Sequence, residues 1–242
     1  RLNVTNATLQ NNPDNNWYNP QIFEMKVFGT PVDKAKKPEP DINIDFDSGS
    51  GELKLSSGAS IRQDGEKGSV LYLDGSDNAY GEFPVGMLDG LRDYTVSMDI
   101  KSESEGNFFT FAAGKNDAKY VFVRVADKLV RFAATTDSLR DETEIKYHLD
   151  GTKWHNYTFV FNGAASKLYI DVKFITETTE THGQLADMGT GTTCYIGKSY
   201  YADDTCFKGS IDNIRIYKCA LTDAEITGGE AAAQVRGDVN AD

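Results

Sequence analysis

The chain has 242 residues, 37 of them acidic against 25 Lys and Arg, giving a formal net charge of −12. That length holds one large domain plus a fragment, or two small domains, and the charge argues against nucleic acid or an anionic membrane as partner. No segment approaches the roughly 18 consecutive apolar residues of a membrane span, so no membrane insertion is expected. The composition suits a soluble, secreted, extracellular module. The sequence contains no signal-peptide pattern, and its opening, Arg1-Leu2-Asn3-Val4, reads as cut from something longer.

Residues 1–30 contain two strand-like runs, Leu2 to Thr5 and Ile22 to Phe28, the second strictly alternating. Two strands make no independent core. The run Ile22-Phe23-Glu24-Met25-Lys26-Val27-Phe28-Gly29 resembles the end of a discoidin-like (F5/8 type C) domain, which implies a remnant of such a domain. Residues 31–40 turn to Pro, Lys and Glu, the chemistry of a linker.

From Asp41 onward short alternating runs are separated by Gly, Asn and Asp: Ile42 to Phe46, Val70 to Leu73, Tyr94 to Ile100, Phe109 to Ala112, Tyr120 to Val125, Leu129 to Ala133, Tyr157 to Phe161 and Leu168 to Val172. Tyr94, Val96, Met98 and Ile100 share one face. About a dozen such strands with almost no helical periodicity predict an all-β, antiparallel sandwich. The last strand, Phe207 to Tyr217, alternates at Ile214 and Ile216 and carries Gly209, the mark of a bulge or of a closely approaching backbone. Asp212 stands where a hydrophobe or neutral residue is usual; a carboxylate there needs a partner, and a cation is the first candidate. Thr222 followed by Glu225 predicts a capped helical turn.

Several of these segments, in this order, resemble the laminin G-like, concanavalin A-type family. They are Tyr72-Leu73-Asp74-Gly75-Ser76, Tyr94 to Lys101, the Trp154-His155 strand with Asn162-Gly163 after it, Leu168 to Asp171, Tyr195-Ile196-Gly197-Lys198 and the closing strand. The resemblance covers residues 41–227 and implies a jelly-roll β-sandwich with first and last strands adjacent. It also implies a structural calcium ion near that edge. Asp47 and Asp212 are the preferred side-chain ligands and Asp45 a reserve, the alternative being acids that simply face water. A Gly/Ala linker, residues 228–236, precedes Gly237-Asp238-Val239-Asn240-Ala241-Asp242, which resembles the start of a dockerin and so implies a cohesin partner in a cellulosome.

Three cysteines leave one thiol over. A hairpin centred near Tyr200 would set Cys194 opposite Cys206 and allow a disulfide, with buried free thiols as the alternative. The acidic runs Asp141 to Glu144 and Glu177 to Glu180 read as solvated loops, and no strand offers the paired carboxylates of a retaining glycosidase. The three histidines are scattered and suggest neither a triad nor a zinc site. Trp154 reads as a core residue. For a sugar, aromatic platforms with nearby polar groups are needed. Tyr200, Tyr201, Asp203 and Asp204 in one loop meet that need, as does Phe108 after the Gly106 turn.

The sequence thus predicts a non-catalytic carbohydrate-binding or accessory module of a secreted cellulosomal glycoside hydrolase, directing the attached enzyme to a polysaccharide. The alternative is a spacer or protein-interaction domain without a sugar site. A glycosidase of the sandwich class is the third reading.

Overall fold

The structure is a computed structural model that describes residues 37–103, 108–126, 129–138, 143–146, 150–163, 165–179 and 183–228. The discoidin-like run, most of the first linker, nearly all of the second and the dockerin-like hexapeptide lie outside the described residues.

Among the described residues fifteen strands follow one another: β1 (Ile42–Ile44), β2 (Lys54–Leu55), β3 (Ala59–Asp64), β4 (Gly68–Asp74), β5 (Gly81–Glu82), β6 (Asp93–Ser102), β7 (Phe108–Asn116), β8 (Lys119–Ala126), β9 (Leu129–Thr135), β10 (Thr143–Lys146), β11 (His155–Asn162), β12 (Ser166–Ile170), β13 (Lys173–Thr178), β14 (Thr193–Ile196) and β15 (Lys208–Tyr217). A short 3-10 helix, Leu185–Met188, and one helix, α1 (Asp223–Thr227), complete the described elements. The strands form two antiparallel sheets. One has eight strands in the order β13-β12-β11-β6-β15-β4-β3, with β1 also pairing β15; the other has seven, β10-β9-β8-β7-β14-β5-β2. The fold is an all-β jelly-roll sandwich of the concanavalin A type.

Alternation fills the space between the sheets. Tyr94, Val96, Met98 and Ile100 of β6 face Phe111, Val121, Val123 and Phe132 of the opposite sheet in one continuous core. β15 runs beside β6 over nearly its whole length and takes β4 on its other side at one end and β1 at the other. The first and last strands of the described residues are therefore neighbours, as the family resemblance implied for the sandwich. Gly209 has φ +149, and a Cβ there would lie 2.4 Å from the Lys101 carbonyl oxygen, so the close approach expected of it is real. α1 begins at Thr222, whose hydroxyl accepts from the Glu225 amide while the Glu225 carboxylate accepts from the Thr222 amide. Its Ile226, with Leu221, closes a second apolar cluster over Val160, Tyr169 and Tyr217 on the outer face of the eight-stranded sheet.

Several sequence expectations need correction. β14 and β15 lie in different sheets, so no hairpin joins them, and Cys194, Cys206 and Cys219 are all free thiols. Glu144 is in strand β10 and Glu177 in strand β13, not in loops. Both strands are sheet edges, and the charged residues that edge strands commonly carry made them read as loop. β12 ends at Ile170, and Asp171 and Val172 turn the chain with φ +49 and +61. Trp154 is only partly buried and outside the core; its indole N–H donates to the Asp64 carboxylate at 3.2 Å.

Candidate functional site

Along β7, β8 and β9 the residues facing away from the shared core do not all meet solvent. Ala112, Tyr120, Phe122 and Ala133 are buried there as a separate apolar cluster, and the side chains that bury them are Tyr200 and Tyr201. The loop after β14 folds back over the outer face of its own sheet. Tyr200 anchors it: the phenol donates to the Thr193 carbonyl at 2.7 Å, and the ring packs 5.5 Å from Tyr195 and 5.9 Å from Tyr120. Burial pushes the Tyr200 phenol well above its ordinary pKa. It is thus a support within the loop, not an open platform.

Tyr201 lies above it, edge-on to Tyr120 at 5.9 Å. The two hydroxyls are 3.0 Å apart, and the Tyr201 hydroxyl also reaches the Asp117 carbonyl at 3.3 Å. Its amide donates to the Ser199 hydroxyl at 2.9 Å, so the loop backbone is fixed as well. Asp203 and Asp204 follow, exposed. Arg124 extends the outer row of β8 past Tyr120 and Phe122. Its guanidinium carbon lies 5.2 Å from the Phe122 ring centre, and an Nη is 3.9 Å from the Asp204 carboxylate. Arg131 of β9 is the register partner of Arg124 and, on its other side, of Glu144. Phe108 opens β7 as the partner of Val125.

The sequence-predicted loop residues and two unforeseen arginines therefore come together on one sheet face. The missed signal was alternation: Tyr120, Phe122 and Arg124 are two residues apart and share a face that a one-sided sandwich strand would leave wholly polar. Chemically the face offers a partly buried phenol ring, a planar cation held against an aromatic, and a carboxylate with 38% of its side-chain surface open. These are the groups that bind a polyol, whose C–H face stacks on a ring while its hydroxyls bridge donors and acceptors.

The sequence model of the concanavalin A-like lectin/glucanases superfamily, in its laminin G-like form, matches residues 74–227, more than half of the chain. The chain belongs to this superfamily. A curated relative, an alpha-L-arabinofuranosidase of Bifidobacterium longum subsp. longum, is 27% identical over 192 residues, 72% of this chain but 18% of that enzyme. The laminin G-like chain thus spans under a fifth of that relative. Among solved structures, domain 4 of AbnA, a GH43 extracellular arabinanase from Geobacillus stearothermophilus in complex with arabinotriose, superposes with a TM-score of 0.53 at 20% identity. The match covers 70% of this chain and 79% of that one. The receptor-binding domain of botulinum neurotoxin type G gives a TM-score of 0.59 at 12% identity, covering 78% of this chain and 50% of that one. Both likenesses establish the fold alone.

The acids expected to hold calcium lie at the other sheet. Asp45 and Asp47 are exposed on either side of the buried Phe46. Asp45 accepts from the Asp47 amide at 3.2 Å, and Asp47 accepts from the Ser69 amide at 3.0 Å. Asp212 is buried, 2% exposed, and Asp47 is near enough to act on it electrostatically. Among the described residues no three His, Cys, Asp or Glu side chains converge in a way that could hold a metal ion. His155 is bound to Asp171, its Nδ1 2.7 Å from the carboxylate; His148 and His182 lie outside the described residues. No helix among the described residues is long and apolar enough to cross a membrane.

Proposed function

We propose that this laminin G-like domain is a non-catalytic carbohydrate-binding module of an extracellular glycoside hydrolase, and that its ligand is an arabinose-containing polysaccharide. The ligand would lie on the outer face of the seven-stranded sheet, against Tyr201 and between Arg124, Asp203 and Asp204. The observation that carries this reading is the ordered loop over that face: Tyr201 is fixed by three polar contacts before any ligand arrives, so little conformational entropy is lost on binding. The partial likenesses to an arabinofuranosidase and to an arabinanase domain complexed with arabinotriose support the choice of sugar. The module's work would be tethering, which raises the local substrate concentration of the attached catalytic domain.

The acids on the edge strands support a non-catalytic role. Glu144 is in register with Arg131 and Glu177 with Lys167, so neither has another acid opposite it. A cellulosomal setting and a cohesin partner rest on the dockerin-like hexapeptide, and secretion on the acidic composition; all belong to the same proposal. The spacer reading has one observation in its favour, the inward turn of Tyr200, which leaves a single loop tyrosine for a sugar.

Affinity electrophoresis in gels containing arabinan, arabinoxylan or galactan tests the proposal. Retardation by an arabinose-containing polymer, reduced for Tyr201→Ala and for Arg124→Gln, is the expected result. Unretarded migration in every gel would favour the spacer.

A further inference from the structure

The outer face of the eight-stranded sheet holds two carboxylates side by side. Asp212 of β15 and Asp99 of β6 are register partners, and both are buried, at 2% and 7% exposure. Like charges opposite one another on antiparallel strands repel, and burial makes each costlier to keep ionised. Asp47 adds a third carboxylate within electrostatic reach of Asp212. While ionised, such a cluster needs a cation beside it.

The structure provides one from within the chain. Lys67, in the turn between β3 and β4, reaches past β15 and places Nζ 2.7 Å from Asp99 Oδ2. Asn213, at the β15 bulge with φ +50, donates to Asp99 Oδ2 at 2.9 Å and to Asp212 Oδ2 at 2.8 Å. Asn156 donates to Asp99 Oδ1 at 2.8 Å. Both Asp99 oxygens are thus engaged, while the buried Asp212 Oδ1 has no hydrogen-bond partner. Trp154 lies beside the ammonium, its ring centre 5.8 Å from Nζ. Calcium takes 6–8 oxygen ligands. With Lys67 in place, Asp45 bonded within its own turn and Asp99 fully engaged, the residues present do not fit that requirement.

We infer that Lys67 is the counter-ion of this carboxylate cluster, a tethered ammonium standing where the family resemblance leads one to expect calcium. The edge is metal-independent while the ammonium is present. Withdrawing it leaves the paired carboxylates of Asp99 and Asp212, with the unpaired Asp212 oxygen, open to an added divalent cation.

Thermal melting of the full chain in millimolar calcium or in chelator tests this, using wild type, Lys67→Met and the double variant Lys67→Met/Asp212→Asn. Wild type should melt at the same temperature in both buffers. Lys67→Met should melt lower in chelator, by about 3–6 °C, and calcium should restore at least half of the loss. The double variant should melt within a few degrees of wild type and ignore calcium. Terbium luminescence sensitised by Trp154 gives a second readout, dark for wild type and bright for Lys67→Met. A calcium-induced rise in wild-type melting as large as that of Lys67→Met would overturn the inference, as would a Lys67→Met protein that melts like wild type in chelator. Should Lys67→Met not fold, the double variant decides: its recovery supports the counter-ion role, and its failure to recover contradicts it.

Discussion

The hydroxyls of Tyr201 and Tyr120 lie 3.0 Å apart, joining the loop after β14 to the outer face of β8. Beneath this contact Tyr200 is packed and hydrogen-bonded, so two adjacent tyrosines have different tasks. Tyr200→Ala should destabilise the domain by about 3 kcal/mol, the low end of the cost of deleting a core aromatic, since the ring is only partly buried but hydrogen-bonded. Tyr201→Phe should stay within about 2 kcal/mol of wild type, losing the two modest hydrogen bonds of its hydroxyl. Urea denaturation of the two variants separates the roles. If both unfold at the wild-type midpoint, the anchor role of Tyr200 is wrong.

Arg124 and Asp204 lie 3.9 Å apart, too far for a direct hydrogen bond but close enough for a ligand hydroxyl to bridge them. Asp204→Ala should therefore weaken glycan binding roughly tenfold, about 1.4 kcal/mol, while moving the melting temperature by no more than about 2 °C. Glycan titration and melting of the same preparation check this. Equal losses in both would mean that the pair serves the fold.

Burial, with Asp99 and Asp47 adding to it, lifts the Asp212 carboxyl from 3.8 to about 6. The folded chain then holds that proton more tightly than the unfolded chain. The stability so gained is complete below about pH 4 and is lost as pH rises through about 6. Asp212→Asn should flatten the melting-temperature profile across that window and stabilise the neutral protein by about 1 kcal/mol after allowance for solvent screening. A profile with unchanged slope between pH 4 and 6 would count against this assignment.

Val172 occupies a left-handed conformation, φ +61, at the second position of the two-residue turn from β12 to β13, and is 55% exposed. Mirror-image turns of this kind favour Asp-Gly, and a β-branched residue there is strained. Val172→Gly should raise stability by about 0.5–1 kcal/mol despite the greater freedom of the unfolded chain. The midpoint of chemical unfolding measures it, and a decrease would show that Val172 is held by contacts worth more than its strain.

Strands with one hydrophobic face in the core were legible from alternation. Ile214 and Ile216 are fully buried, as are Tyr94, Val96, Met98 and Ile100. Edge strands were not legible, because β10 and β13 carry acidic residues that read as loop. The face bearing Tyr120, Phe122 and Arg124 was hidden for a related reason: a second apolar row made β8 look continuously hydrophobic, which says nothing about what covers it. That Asp212 is an unusual acid on its strand was readable. That Lys67, 145 positions earlier in the chain, meets its neighbour Asp99 depends on sheet order, which puts β4 and then β3 on one side of β15 and β6 on the other.

The most direct test of the glycan-binding account is isothermal titration of wild type with linear arabino-oligosaccharides, in the presence of chelator. Saturable binding with one site per chain, lost in Tyr201→Ala and kept in Lys67→Met, is the predicted result. Absence of heat at millimolar oligosaccharide, with the domain shown folded by its melting transition, would contradict the assignment of the Tyr201 face as a sugar site.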